Sequence, residues 1–188
     1  MTMYLVHDCG SFEALVSILK DGIVKRGDEV NKRYVNGFGD TSFVYTMTSP
    51  IYPDCKFCGG FLIYLKSVLL DNKPYYISKL WSPSPSESSA VITIKNSSSK
   101  TEHNQQLLQK LYKNATKIVD AGLAPCHDPG MQIAVNRNIK FESTDLVGIF
   151  VQDYNNTKFS LSKKKIQTLT KMVKEEYPKT RLIIQTIY

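Results

Sequence analysis

The sequence lacks most of the signatures that identify an activity directly. It contains no Gly-x-Ser-x-Gly elbow, no His-Glu-x-x-His pair, no glycine-rich dinucleotide fingerprint and no Gly-Lys-Ser/Thr phosphate loop. Serine hydrolases, zinc proteases, fingerprint-type dehydrogenases and P-loop enzymes therefore have nothing to support them. No apolar run reaches the roughly 18 residues of a membrane-spanning helix. The start, Met1 to Asp8, has no basic n-region, and a charge interrupts its apolar run, unlike a signal peptide. The expectation is an intracellular protein, cytoplasmic or nuclear, with no membrane partner.

Cysteine is also scarce. Cys9, Cys55, Cys58 and Cys126 are the four present, and a reducing compartment keeps them as thiols. Cys55 and Cys58 have C-x-x-C spacing, and Cys126 with His127 would complete a four-ligand zinc set. The second half lacks paired spacing, and a strand rather than a helix follows Cys58. Ordinary thiols, a zinc site and a redox pair all remain open.

What is present suits one α+β domain. The chain has 188 residues, a one-domain length that buries roughly 70% of its unfolded surface without a staple. Hydrophobic residues make up 42%, which excludes disorder as a description of the whole. The formal net charge is +7, and that suggests a phosphate-bearing partner. The excess is unevenly placed. Lys158, Lys163, Lys164, Lys165, Lys171, Lys174, Lys179 and Arg181 face only Glu175 and Glu176 in the last 31 residues. Such a run reads either as a solvated helix face or as a polyanion-binding surface.

Local patterns place the elements. Residues 3–8 read as a strand. Ser11 is a helix N-cap, Phe12, Leu15, Ile18 and Leu19 follow at helical spacing, and Gly22 stops the helix, which predicts 12–20. Residues 24–41 are polar and glycine-punctuated and read as a long loop, a length that tends to be functional. Strands are expected over 42–48, 61–65, 75–77 and 90–94, with loops at 82–89 and 96–99. Leu107, Leu108, Leu111, Ala115, Ile118 and Val119 form one helical stripe, about 102–121. Strands at 132–136 and 146–151, a basic helix from Leu161 to Tyr177, and a strand from Arg181 to Tyr188 complete the chain. The whole of 1–188 reads as one domain, with 158–188 as a candidate appendage.

Three of these segments, in order, resemble the ADP-ribosyltransferase superfamily. Tyr4 to Cys9 followed by Phe12 to Ile23 resembles its opening strand, which ends in a histidine, and its first helix. Phe43 to Ser49 resembles its second strand, where a tyrosine stacks on nicotinamide. Met131 to Phe141 with Leu146 to Ile149 resembles its late strand pair. The resemblance covers most of residues 3–151, and the nearest patterns are the DNA-modifying ADP-ribosylating toxins and the poly-ADP-ribose polymerase catalytic domains. It implies a split β-sheet core with peripheral helices, NAD as cofactor and substrate, and a protein or single-stranded nucleic-acid acceptor. The family's histidine–tyrosine–glutamate triad falls on His7, Tyr45 and, with a departure, Gln132.

The residue types fit those implied roles. His7 would bond ribose hydroxyls, and Tyr45 would offer a flat face to the nicotinamide ring. The Asp8 backbone would hold the carboxamide where the family has glycine, with a side chain that crowds the site. Tyr52 and Arg33 join the cofactor-binding set, Arg33 as a cation suited to pyrophosphate or, with Lys32, to a nucleic-acid backbone. An acid at position 132 would stabilise oxocarbenium charge. Glutamine keeps a hydrogen-bond acceptor and loses that charge, a loss of about 10²-fold in rate.

Gln132 thus leaves three readings: binding without efficient transfer, a weaker mechanism with Glu142 standing in, or a substitution that silences an active enzyme. The related tRNA phosphotransferases would need further basic side chains near the first motif. The competing expectation is a non-catalytic protein that keeps the fold and binds nucleic acid or an acidic partner through its basic tail.

Overall fold

Cap chemistry sets the first helix. The structure, a computed structural model, describes residues 1–30, 42–50, 60–79, 92–94, 101–120, 131–154 and 160–187. Strand β1 (Tyr4–Asp8) leads into α1 (Phe12–Asp21), where the Ser11 hydroxyl accepts from the Ala14 N–H at 3.1 Å. Gly22 ends it in the left-handed region at φ 61°, and a Cβ there would lie 3.1 Å from the Phe141 carbonyl oxygen. Glycine alone suits both conditions.

Two short elements follow inside the stretch expected to be loop. Strand β2 (Ile23–Val24) and one helical turn, α2 (Gly27–Val30), stand there. Distant residues stabilise both. β2 pairs with β8 (Ile139–Lys140), and the Arg26 N–H donates to Asn138 Oδ1 at 2.9 Å. Residues 31–41 of that stretch, and the expected loops at 82–89 and 96–99, lie outside the described residues.

The remaining expected elements are present with shifted ends. They are β3 (Val44–Ser49), β4 (Phe61–Lys66), β5 (Tyr75–Lys79), β6 (Ile92–Ile94), α3 (Thr101–Asp120), β7 (Met131–Val135), β9 (Leu146–Tyr154), α4 (Lys163–Glu176) and β10 (Arg181–Ile187). Eight strands make one sheet in the order β10-β9-β4-β1-β3-β7-β5-β6, beside the β2–β8 pair. Its pairings are antiparallel except β9 with β10, which α4 connects. The fold is α+β in one domain.

Alternation along each strand divides the sheet into two faces. Leu5, Ile63, Leu65, Ile149 and Val151 join α1, α3 and α4 in the main core, through Leu15, Leu108 and Leu169 among others. Val6, Leu62, Tyr64 and Phe150 form a second cluster, to which Tyr4, Met47 and Ile183 add. Segment 160–187 is integral to the domain. Leu169, Met172, Val173 and Tyr177 belong to the main core, the Tyr177 hydroxyl donates to the Leu19 carbonyl, and β10 pairs with β9 over its whole length.

One irregularity positions the site. β3 pairs with β1 only through Met47, Thr48 and Ser49, and with β7 only through Val44, Tyr45 and Thr46. β1 and β3 therefore part company beyond Val6 and Met47, and the sheet opens between their diverging ends.

Candidate functional site

His7 stands at that opening. Its backbone stays paired with Ile63 of β4, and Asp8 pairs with Leu62, so the strand is held on one edge. On the other edge, His7 Nδ1 lies 2.9 Å from the Tyr45 carbonyl oxygen. A carbonyl only accepts, so Nδ1 carries the proton and neutral His7 keeps Nε2 as an acceptor. Burial lowers the His7 pKa from its ordinary 6.5, while the Tyr45 carbonyl and Asp8 pull it back upward. The ring is neutral at pH 7.

Two cavities meet at this imidazole. One, about 290 Å³, lies between the diverging ends of β1 and β3 and is lined by Asp8, Phe43, Tyr45 and Met47 as well as His7. The other, about 340 Å³, lies against α1 and β2 and is lined by Ser17, Ile18, Asp21 and Glu29. Lys25 borders both, and its Nζ pairs with Asp21 Oδ2 at 2.8 Å. The aromatic side of the first cavity is a packed set. The rings of Phe43 and Tyr45 are 6.2 Å apart, and Phe43 meets Tyr76 edge-on at 5.5 Å.

Alternation qualifies how the expected residues come together. His7 has the parity of Leu5, on the helix-covered side, whereas Tyr45 has the parity of Met47, which pairs with Val6. His7 and Tyr45 are thus joined through a backbone carbonyl and not ring to ring. Gln132 lies on β7, the strand beyond β3, opposite Ser78 and next to Ile133, which pairs with Thr46. The three expected residues occupy three adjacent strands.

Asp8 is exposed, and its Oδ1 accepts from the Gly10 N–H at 2.8 Å. Gly10 has φ 72°, which suits the tight turn that carries β1 into α1. Glu29 is held by Asn138 and Arg26; the Asn138 amide, above all, holds its carboxyl below the usual range. Lys25 and Glu29 were not legible as site residues, because no motif or spacing marks them, and Phe43, which opens the second motif, was not singled out within it.

Arg33, Tyr52, Cys55, Cys58, Cys126 and His127 lie outside the described residues. Among the described residues, no cluster of His, Cys, Asp and Glu could hold a metal. Cys9 is buried, and burial raises its thiol pKa. Glu142 is exposed on the loop after β8, where its N–H donates to Asp145 Oδ2 at 3.0 Å, and it borders neither His7 cavity. No described helix is long and apolar enough to cross a membrane.

The basic tail folds back beside the first motif. Lys165 Nζ pairs with Glu13 Oε1 at 2.6 Å and sits 5.1 Å from the Phe12 ring centroid. Lys163, Lys164 and Lys174 are exposed on the same helix. Comparison of the chain with protein-family models, curated proteins and solved structures found no match.

Proposed function

We propose that the chain binds NAD in the manner of an ADP-ribosyltransferase domain and transfers ADP-ribose, slowly, to a protein or nucleic-acid acceptor. The observation that carries this reading is the His7–Tyr45 bridge at the meeting point of two cavities. It fixes one tautomer and leaves Nε2 as a neutral acceptor for a hydroxyl, the group a ribose presents. Beside it, Tyr45 and Phe43 supply the aromatic surface a nicotinamide ring needs. Lys25 borders both cavities, where a dinucleotide spanning them would carry its diphosphate.

Slowness follows from position 132. A glutamine there bonds a hydroxyl and adds no negative charge to meet an oxocarbenium ion. The test is incubation with labelled NAD, with and without single-stranded DNA, RNA and a protein mixture. Nicotinamide release or label transfer is the expected result. No release and no transfer under all conditions would contradict a transferase.

A second reading has its own observation. Lys163 and Lys164 are exposed in the first turn of α4, next to the positive end of the helix dipole. Cations there cost stability rather than add it, so stability does not account for them. A polyanion-binding module does. Salt-sensitive nucleic-acid binding without any NAD effect would favour this module over the enzyme.

A further inference from the structure

We propose that β10 is a docking edge for an acidic polypeptide segment, which adds to the sheet as a further strand and meets the lysines of α4. The proposal is independent of the NAD reading, since β9 and β4 separate β10 from β1.

The last strand of a sheet invites pairing with another chain, and proteins blunt such edges with short strands, proline, lysine or bulges. At the opposite end of the sheet, β6 is three residues long. β10 is not blunted. Its sequence, Arg-Leu-Ile-Ile-Gln-Thr-Ile, contains no proline or lysine, and it pairs with β9 through all seven residues without a shift of register. Burial shows the consequence. Ile149, Phe150 and Val151 of β9 are fully buried, whereas their partners Leu182, Ile183 and Ile184 are only half-buried. Leu182 and Ile184 stand on the helix-covered face, and Ile183 stands on the other. A strand laid outside β10 would cover all three and continue the backbone ladder.

Charge beside the edge selects the occupant. Leu169, Met172 and Val173 of α4 point into the core, and Lys165 reaches Glu13 of α1. Phe12 of α1 packs edge-on against Phe61 of β4 at 6.4 Å, so α1 lies on the inner side of α4. Helical spacing puts Lys163, Gln167, Thr170 and Lys174 on the opposite flank, beside β10, and all four are exposed. A two-fold pairing of β10 with a second copy would set this flank against itself, lysine to lysine. An acidic segment meets it with opposite charge. Nucleic acid would match the charge but has no backbone amides to extend a ladder. The fitting segment is extended and about as long as β10, with Asp or Glu on the α4 side alternating with apolar residues on the Ile183 side.

The experiment uses the intact chain and a fluorescein-labelled peptide that alternates Glu with Val over the length of β10. Binding is read by fluorescence anisotropy and by hydrogen exchange. The expected result is saturable binding that slows exchange of the β10 amides. N-methylation of one alternating set of peptide amides removes ladder donors without changing charge, and it should abolish binding. Lys163→Glu with Lys174→Glu should weaken binding about tenfold, the scale of two exposed charge pairs, with an unchanged melting temperature as the check on the fold. Absence of peptide binding, or binding indifferent to both methylated sets, overturns the proposal. Single-stranded oligothymidylate that binds the same flank while the peptide leaves β10 exchange unchanged overturns it in favour of nucleic acid. Concentration-dependent dimers in sedimentation, with β10 amides protected before any peptide is added, overturn it in favour of a second copy.

Discussion

His7 and Tyr45 are joined where their strands stop pairing. Nδ1 of His7 lies 2.9 Å from the Tyr45 carbonyl oxygen, immediately past the last β1–β3 pair, Val6 with Met47. A side chain thus bridges the two strands where the backbone ladder has ended. The same bond selects the histidine tautomer and leaves Nε2 as the acceptor. Most of the chemistry attributed to the site depends on this relationship.

The first prediction concerns pH. Burial depresses the folded-state pKa of His7 below 6.5, so the folded state takes up this proton less readily than the unfolded chain. Its contribution to stability is complete above pH 6.5 and declines as pH falls toward the depressed value. NAD affinity should fall later, as pH drops through the depressed value itself, because protonated Nε2 no longer accepts a hydroxyl. Affinity measured by calorimetry should be flat from pH 7 to 8 and drop only in acid, and denaturant titration should show stability beginning to fall already near pH 6.5, before affinity does. A His7→Gln variant, which does not titrate, should lose the histidine part of both dependences.

A second prediction addresses Gly22. With φ at 61° and only 3.1 Å between a would-be Cβ and the Phe141 carbonyl oxygen, alanine is strained in backbone and in space. Gly22→Ala should cost about 1 kcal/mol or more. Urea unfolding would register it as a lower midpoint with an unchanged slope. The effect should reach the second His7 cavity, because β2 begins at the next residue.

Tyr177 gives a third. Its hydroxyl donates to the Leu19 carbonyl and so ties the end of α4 to the end of α1. Tyr177→Phe keeps the ring beside Phe141 and removes only that bond. The expected loss is about 1–2 kcal/mol, the cost of leaving a buried acceptor unsatisfied. Hydrogen exchange should show faster opening of α4 in the variant.

A fourth tests position 132 through chemistry. Gln132→Glu adds the charge that an oxocarbenium ion would meet, and nicotinamide release from NAD should rise about 10²-fold. An unchanged rate, with NAD still bound, would place the rate-limiting charge elsewhere.

Much of the fold was legible in local sequence chemistry. Ser11 and Gly22 bracket α1 as capping rules require, and the Leu107–Leu108–Leu111 stripe marks α3. What was not legible depended on distant partners. β2 and the α2 turn exist because Ile139, Lys140 and Asn138 come from more than a hundred residues away to meet them. Strand order is likewise invisible to periodicity, and so was the packing of the basic α4 against α1 through Lys165 and Glu13. Of the site, the aromatic β3 and the strand-ending His7 were apparent as residue types. The opening between β1 and β3, and the entry of Lys25 and Phe43 into its lining, come from register. A periodic pattern states which residues share a face but not where two strands separate.

The central claim is that a nucleotide binds at the His7–Tyr45 bridge. Calorimetric titration of NAD into the intact chain, His7→Ala and Tyr45→Ala tests it most directly. The NAD reading requires saturable one-to-one binding by the intact chain and a loss of at least about tenfold in each variant, the scale of one lost ring or hydrogen-bond contact in a desolvated site. Equal NAD affinity in all three proteins would contradict it.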